Sequence, residues 1–213
     1  MARIWVWQEE QAEAFFAEAR RVLRSKGVLA LPTETFYALS VNPFDPAALA
    51  RLFTLKERPA AKPVLVLIAG PEMLFQVVRE MPAAAPRLMS AFWPGPLTLI
   101  FPARVDLPPL LTGGTGTIGL RLPRQDLVCR LMAALGLPLT GTSANRSGRE
   151  PLTTASQVAR EFGDGVDLIL DAGPCPGGAP STIVDVTVSP PRLVRAGAVA
   201  ASAIKELFAE IKP

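Results

Sequence analysis

Helix-like and strand-like stretches alternate irregularly along this 213-residue chain. That pattern predicts an α/β domain built around a twisted, mixed parallel and antiparallel β-sheet flanked by helices. Three observations carry the reading. Short apolar runs bounded by glycine or proline recur at 28–31, 64–69 and 97–101, as buried strands do. Amphipathic stretches separate them, beginning with 8–25. Late in the chain, short strand-like runs at 167–171, 182–187 and 192–195 follow one another with only Gly/Pro turns between, which makes the sheet mixed. The length suits one domain over 1–213, and 49% hydrophobic residues suit a packed core.

In order, residues 8–25 form a helix whose apolar face is Ala12, Phe15, Phe16, Ala19, Val22 and Leu23, ended by Gly27. The strand 28–31 stops at Pro32, and Thr33, Glu34 and Thr35 sit at its carboxyl end, where open α/β sheets place their ligands. A helix over 46–55 has Asp45 as its cap and Pro46 at its first position. The strand 64–69 follows, then a helix opened by Pro71 through Val78, and another over 86–92. Trp93-Pro94-Gly95-Pro96 is a stiff corner before the strand 97–101. Residues 104–116 read as loop, and their glycine-rich end lacks the Gly-Lys-Ser/Thr of a P-loop. A strand over 117–122 carries Arg121 opposite its leucine neighbours, and a helix over 126–135 ends at Gly136. Thr153 or Thr154 caps a helix through Phe162, and 200–211 closes the chain as an amphipathic helix.

Composition removes several chemistries. Histidine is absent, so Ser-His and Cys-His nucleophile pairs and histidine metal sites are excluded. Cys129 and Cys175 lie far apart, in neither a zinc nor a disulfide spacing. The metal expected is Mg²⁺ arriving on nucleotide phosphates, with no prosthetic group. A net charge of +3 with no dense basic run is compatible with nucleotide, phosphate or RNA and diagnostic of none. The N-terminus turns charged at Glu9, too early for a signal peptide, and no apolar stretch approaches a membrane span. A soluble, cytoplasmic protein without membrane contact is expected.

Two stretches carry the candidate chemistry. Lys56, Arg58 and Lys62 cluster where the helix after the first strand ends, close in sequence to the second strand. They form either an anion-binding mouth or a solvated helix end that complements the dipole. Ser143 and Asn145, two apart in an extended segment, put a hydroxyl and an amide on one side, as an ordinary turn would also do.

Resemblance adds what spacing leaves open. PTETFYAL with LKERPAAKP, then FWPGPLTLIF, TIGLRLP, TSANRSG, LDAGP, STIVDV and LVRAGAV, closely resembles the YrdC/TsaC family of threonylcarbamoyl-AMP synthases in that family's order, over about 28–199. The resemblance implies the YrdC-like fold with a concave central substrate pocket, in the short form without a second C-terminal domain. It implies synthesis of L-threonylcarbamoyl-AMP from L-threonine, bicarbonate and ATP, with pyrophosphate released. The product would pass to a tRNA threonylcarbamoyl-transfer complex that modifies the adenosine beside the anticodon.

Residue by residue, Lys56, Arg58, Ser143 and Asn145 would form the catalytic tetrad. Lys56, Arg58, Lys62, Thr117, Asn145, Thr153 and Arg195 would contact ATP, and Thr35, Arg121, Ser143 and Ser181 would bind threonine. Two departures stand out: Ala38 replaces the family's usual glycine, and Leu67 stands where some relatives carry histidine. Weak tRNA or double-stranded RNA binding is expected as a partner contact, and two alternatives remain: a non-catalytic double-stranded RNA-binding protein, and carbamoyl-adenylate chemistry on another substrate.

Overall fold

In the computed structural model, which describes residues 2–208, most helices begin at a cap or a proline. A 3-10 turn at Glu9–Gln11 leads into α1 (Ala12–Arg24), which buries all six predicted apolar positions. Asp45 caps α2 (Pro46–Lys56): its carboxylate accepts from the amides of Ala47 and Ala48 at 2.8 and 3.1 Å. Then come α3 (Ala85–Phe92), the short α4 (Pro109–Thr112) and α5 (Asp126–Leu135), which stops at Gly136 with φ 64°. Thr154 opens α6 (Ala155–Phe162) through a capping box with Gln157, and α7 covers Ala201–Lys205.

Eleven strands are described: β1 (Arg3–Val6), β2 (Leu29–Leu31), β3 (Ala38–Ser40), β4 (Val66–Leu67), β5 (Leu97–Pro102), β6 (Thr117–Arg121), β7 (Leu139–Thr140), β8 (Thr142–Ser143), β9 (Leu168–Asp171), β10 (Thr182–Asp185) and β11 (Arg192–Arg195). They pair in both senses, as expected of a mixed architecture, and the ladders divide into two sheets. One runs β1-β9-β2-β3-β8, the other β11-β10-β5-β6-β4-β7. The crossing point between them is Gly141. β7 pairs with β4 in the second sheet and β8 with β3 in the first, and Gly141 alone separates them. A Cβ there would lie 2.5 Å from the Leu67 side chain, so only glycine lets the chain pass.

Several expectations need correction. The segment opened by Pro71 is a 3-10 helix, Pro71–Gln76, not an α-helix through Val78; Val78 instead bridges to Ala103. The expected loop 104–116 contains α4, where Leu111 and Thr112 are buried. Only Val66–Leu67 of the run 64–69 joins a ladder. β1 and β3 were not anticipated. β1 is an edge strand with mostly exposed side chains, so it carries little apolar pattern, and β3 is three residues inside the PTETFYAL stretch. The expected terminal helix is described over Ala201–Lys205 with turn to 208, and its remainder lies outside the described residues. No helix among the described residues is long and apolar enough to cross a membrane.

Candidate active site

A cavity of about 550 Å³ opens on one face of the six-stranded sheet. Strand register sets its floor. Ile100 of β5 sits opposite Gly119 of β6, and Ile183 of β10 sits beside Thr98 of β5. With the period-two alternation of strands, Thr117, Gly119 and Arg121 share the cavity face of β6. Gly119 keeps the floor low: a Cβ there would sit 3.3 Å from the Thr98 methyl. The walls come from Thr33 and Thr35–Ala38 after β2, Arg58 and Pro63–Leu65 before β4, and Gly141–Ser143, with Ser181, Val194 and Arg195 closing the far side. The floor and lining together hold two arginines besides Arg121, several hydroxyls, and no Asp or Glu.

Arg121 is 4% exposed. Its guanidinium makes no hydrogen bond among the described residues, and Nε is buried with no partner. The facing charge is Glu34, whose Oε1 lies 3.6 Å from Nε, within ion-pair range but beyond hydrogen-bonding distance. Burial lowers the Arg121 pKa; Glu34 opposes that shift and Arg195 adds to it. The guanidinium is therefore a charged, desolvated group in the cavity wall with its donors unspent.

Lys56 has the opposite arrangement. It is 2% exposed and does not line the cavity. Its ammonium donates to the carbonyl oxygens of Ser143 and of Asn145, the latter at 2.6 Å, while its own carbonyl accepts from Ser147 at 2.9 Å. Lys56 thus pins the 143–147 segment from beneath. Burial, and then the Arg58 charge, pushes its pKa down to about 7, against the two carbonyls that favour the ammonium. Glu57, at φ 53° just after the helix, extends the clamp through Arg146, which also reaches Glu161.

The remaining sequence candidates separate into cavity and support. Arg58 lines the cavity, with its Nε and Nη2 on the carbonyls of Lys62 and Pro63 at 3.2 and 2.6 Å. Lys62 is exposed and contributes no lining. Ser143 lines the cavity and donates to the Asn145 side-chain oxygen at 2.6 Å. Asn145 itself is turned to its loop, donating to the carbonyls of Arg146 and Arg149. Thr153 is occupied with Gln157 at the start of α6 and lies outside the lining. Thr35, Thr117, Ser181 and Arg195 all reach the cavity, and Arg195 grips the Ser181 carbonyl at 2.7 Å.

One participant, Thr98, is not among the sequence candidates, and two more, Thr33 and Glu34, stand in the sequence only as polar residues at a strand's ligand-binding end. Thr98 shares a 2.9 Å hydrogen bond with Ser181 across the β5–β10 ladder. Its polar side chain between Leu97 and Leu99 is the signal that marks it. Thr33 hydrogen-bonds the backbone of the 33–36 turn. Glu34 was read only as a polar side chain at a strand end, and its partner comes from a strand 87 residues away, so no local pattern reveals the pair.

A family model, Sua5/YciO/YrdC, described as telomere recombination, matches residues 21–197. A Pyrococcus abyssi protein named threonylcarbamoyl-AMP synthase is 36% identical over 99% of this chain, and the match spans 60% of that relative's length. The crystal structure of P. abyssi Sua5 complexed with L-threonine superposes with a TM-score of 0.92 at 34% identity, covering 100% of this chain and 62% of that one. Escherichia coli YciO matches with a TM-score of 0.84 at 26% identity, over 94% of this chain and 98% of its own.

Proposed function

Because the chain belongs to the Sua5/YciO/YrdC family, we propose that it makes L-threonylcarbamoyl-AMP from L-threonine, bicarbonate and ATP, releasing pyrophosphate and water. The observation that carries this reading is Arg121, a buried guanidinium with unspent donors in a cavity wall among hydroxyls. An amino acid's carboxylate matches that fork. Thr35, Thr98, Ser143 and Ser181 supply neutral donors and acceptors for the rest of the molecule.

Threonine's amine and CO₂ form a carbamate, and a carbamate oxygen attacks the α-phosphorus as pyrophosphate leaves. No enzyme nucleophile is required, which suits a chain without histidine. The protein's work is positioning, plus cations where phosphate charge develops. Arg58 and Arg195, whose pKa values are lowered by burial, are the cavity's cations for phosphate. Lys56 and Asn145 serve by holding the segment that carries Ser143. With no carboxylate in the lining, Mg²⁺ would ride on the phosphates and neutralise their charge. The product is an activated carbamate suited to transfer onto a tRNA adenosine by a separate complex.

Pyrophosphate release with ATP, Mg²⁺ and bicarbonate, with and without L-threonine, tests the proposal. Threonine-dependent release that is lost in Arg121→Ala and Arg58→Ala is the expected result. Wild-type protein that is folded and binds ATP, yet shows no threonine-dependent release, overturns it.

A further inference from the structure

Arg121–Glu34 is anomalous among the ion pairs of the described residues. Exposed pairs such as Arg130–Glu9, Arg104–Asp106 and Arg79–Glu80 close to between 2.6 and 3.1 Å. Arg121–Glu34 stays at 3.6 Å although its side chains are only 5% and 13% exposed. Both carboxylate oxygens of Glu34 and the Nε of Arg121 are buried without a hydrogen-bond partner. Burial is where good geometry matters most, because desolvation of each ion is offset only by a close, hydrogen-bonded partner. The loosest pair thus stands where looseness costs most.

The local backbone explains the placement. Thr33 Oγ1 accepts from the amides of Thr35 and Phe36 and donates to the Phe36 carbonyl at 2.7 Å, which fixes the turn. Thr33 and Thr35 line the cavity, whereas Glu34 between them does not. Its carboxylate lies behind the wall, within Coulomb range of a guanidinium that lines the cavity. We propose that Glu34 is a positioning residue acting through Arg121: it is the standing counter-charge of the empty site and competes with the substrate's carboxylate for the same guanidinium, so that it limits how tightly the amino acid is held. This rests on the functional reading above.

The consequence is unusual for a buried charge. Once a ligand carboxylate reaches Arg121, two anions share one cation, and their repulsion opposes capture. Removing Glu34's charge leaves Arg121 uncompensated in the empty protein and makes the ligand its sole counter-ion. Glu34→Gln is therefore expected to melt at lower temperature without ligand, yet to bind L-threonine roughly fivefold more tightly. L-Threoninamide, which lacks the carboxylate, should gain no affinity. A role confined to holding the fold would weaken binding of both.

Calorimetric titration of wild type and Glu34→Gln with L-threonine and L-threoninamide, alongside thermal melts, decides the matter. Tighter L-threonine binding without tighter amide binding supports the proposal. Unchanged or weaker L-threonine binding by the folded variant overturns it. Wild type that binds no L-threonine overturns the functional reading, and this inference with it. If Glu34→Gln fails to fold, Glu34→Asp withdraws the carboxylate by one methylene. It should shift affinity the same way by less, and the opposite shift is again fatal.

Discussion

Two buried cations lie near this cavity with opposite relations to their surroundings. Lys56 is 2% exposed and has two carbonyl acceptors; Arg121 is 4% exposed and has no hydrogen bond among the described residues. Equal burial therefore says nothing about role. A satisfied charge is a fastener, because its donors are already used and moving it leaves carbonyls orphaned. An unsatisfied charge is costly in isolation and makes sense only with a third group. By the same test, Arg195 and Arg58 are intermediate: each lines the cavity while spending part of its fork on backbone carbonyls.

The contrast is broken most severely at Arg121. Arg121→Ala should weaken L-threonine binding by about 2–5 kcal/mol in calorimetric titration, and it leaves the buried Glu34 carboxylate without its counter-charge. Lys56→Met should act on the fold and not on the ligand. Loss of both carbonyl contacts should cost about 1–3 kcal/mol of stability in urea denaturation, with threonine binding by the folded fraction less affected than in Arg121→Ala.

The Lys56 fastener also has a signature in pH. Its folded pKa is about 7 against an ordinary value of 10.5, so between those values the unfolded chain binds the extra proton. Stability relative to Lys56→Met should then rise from pH 7 to pH 10 and flatten above, and it should be lowest below pH 7. A difference that is flat across that window removes the protonation argument. Smaller effects test the neutral donors. Ser181→Ala breaks the Thr98 hydrogen bond and one Arg195 contact, and about 0.5–1.5 kcal/mol of threonine affinity should go with them. Lys62→Ala should change the KM for ATP least of all, by less than about twofold, because an exposed lysine outside the lining acts through screened solvent.

Much of the fold was legible because its signals are local. Asp45 with Pro46, Gly136 after a periodic run, and the glycine-bounded run at 28–31 each specify an element from adjacent residues. The missed strands lacked that pattern: β1 is an exposed edge and β3 only three residues long. In the candidate site, Thr35, Arg58, Thr117, Arg121, Ser143, Ser181 and Arg195 line one cavity. Lys56, Lys62 and Asn145 do not line it, although each lies within one of the same motifs, and Thr153 does not line it either.

By itself, then, the sequence determined which residue types are available and which chemistries are closed. Without histidine and with scattered cysteines, this chain can position and neutralise but has no His-activated nucleophile. It also determined the periodicities that put Thr117, Gly119 and Arg121 on one face of a strand. Tertiary structure alone decided which cation is spent and which is free. Lys56 finds its acceptors 87 and 89 residues further along, and Arg121 meets Glu34 from another sheet. Hydrogen-bond satisfaction is a property of what surrounds an atom in space, and no spacing along the chain encodes it.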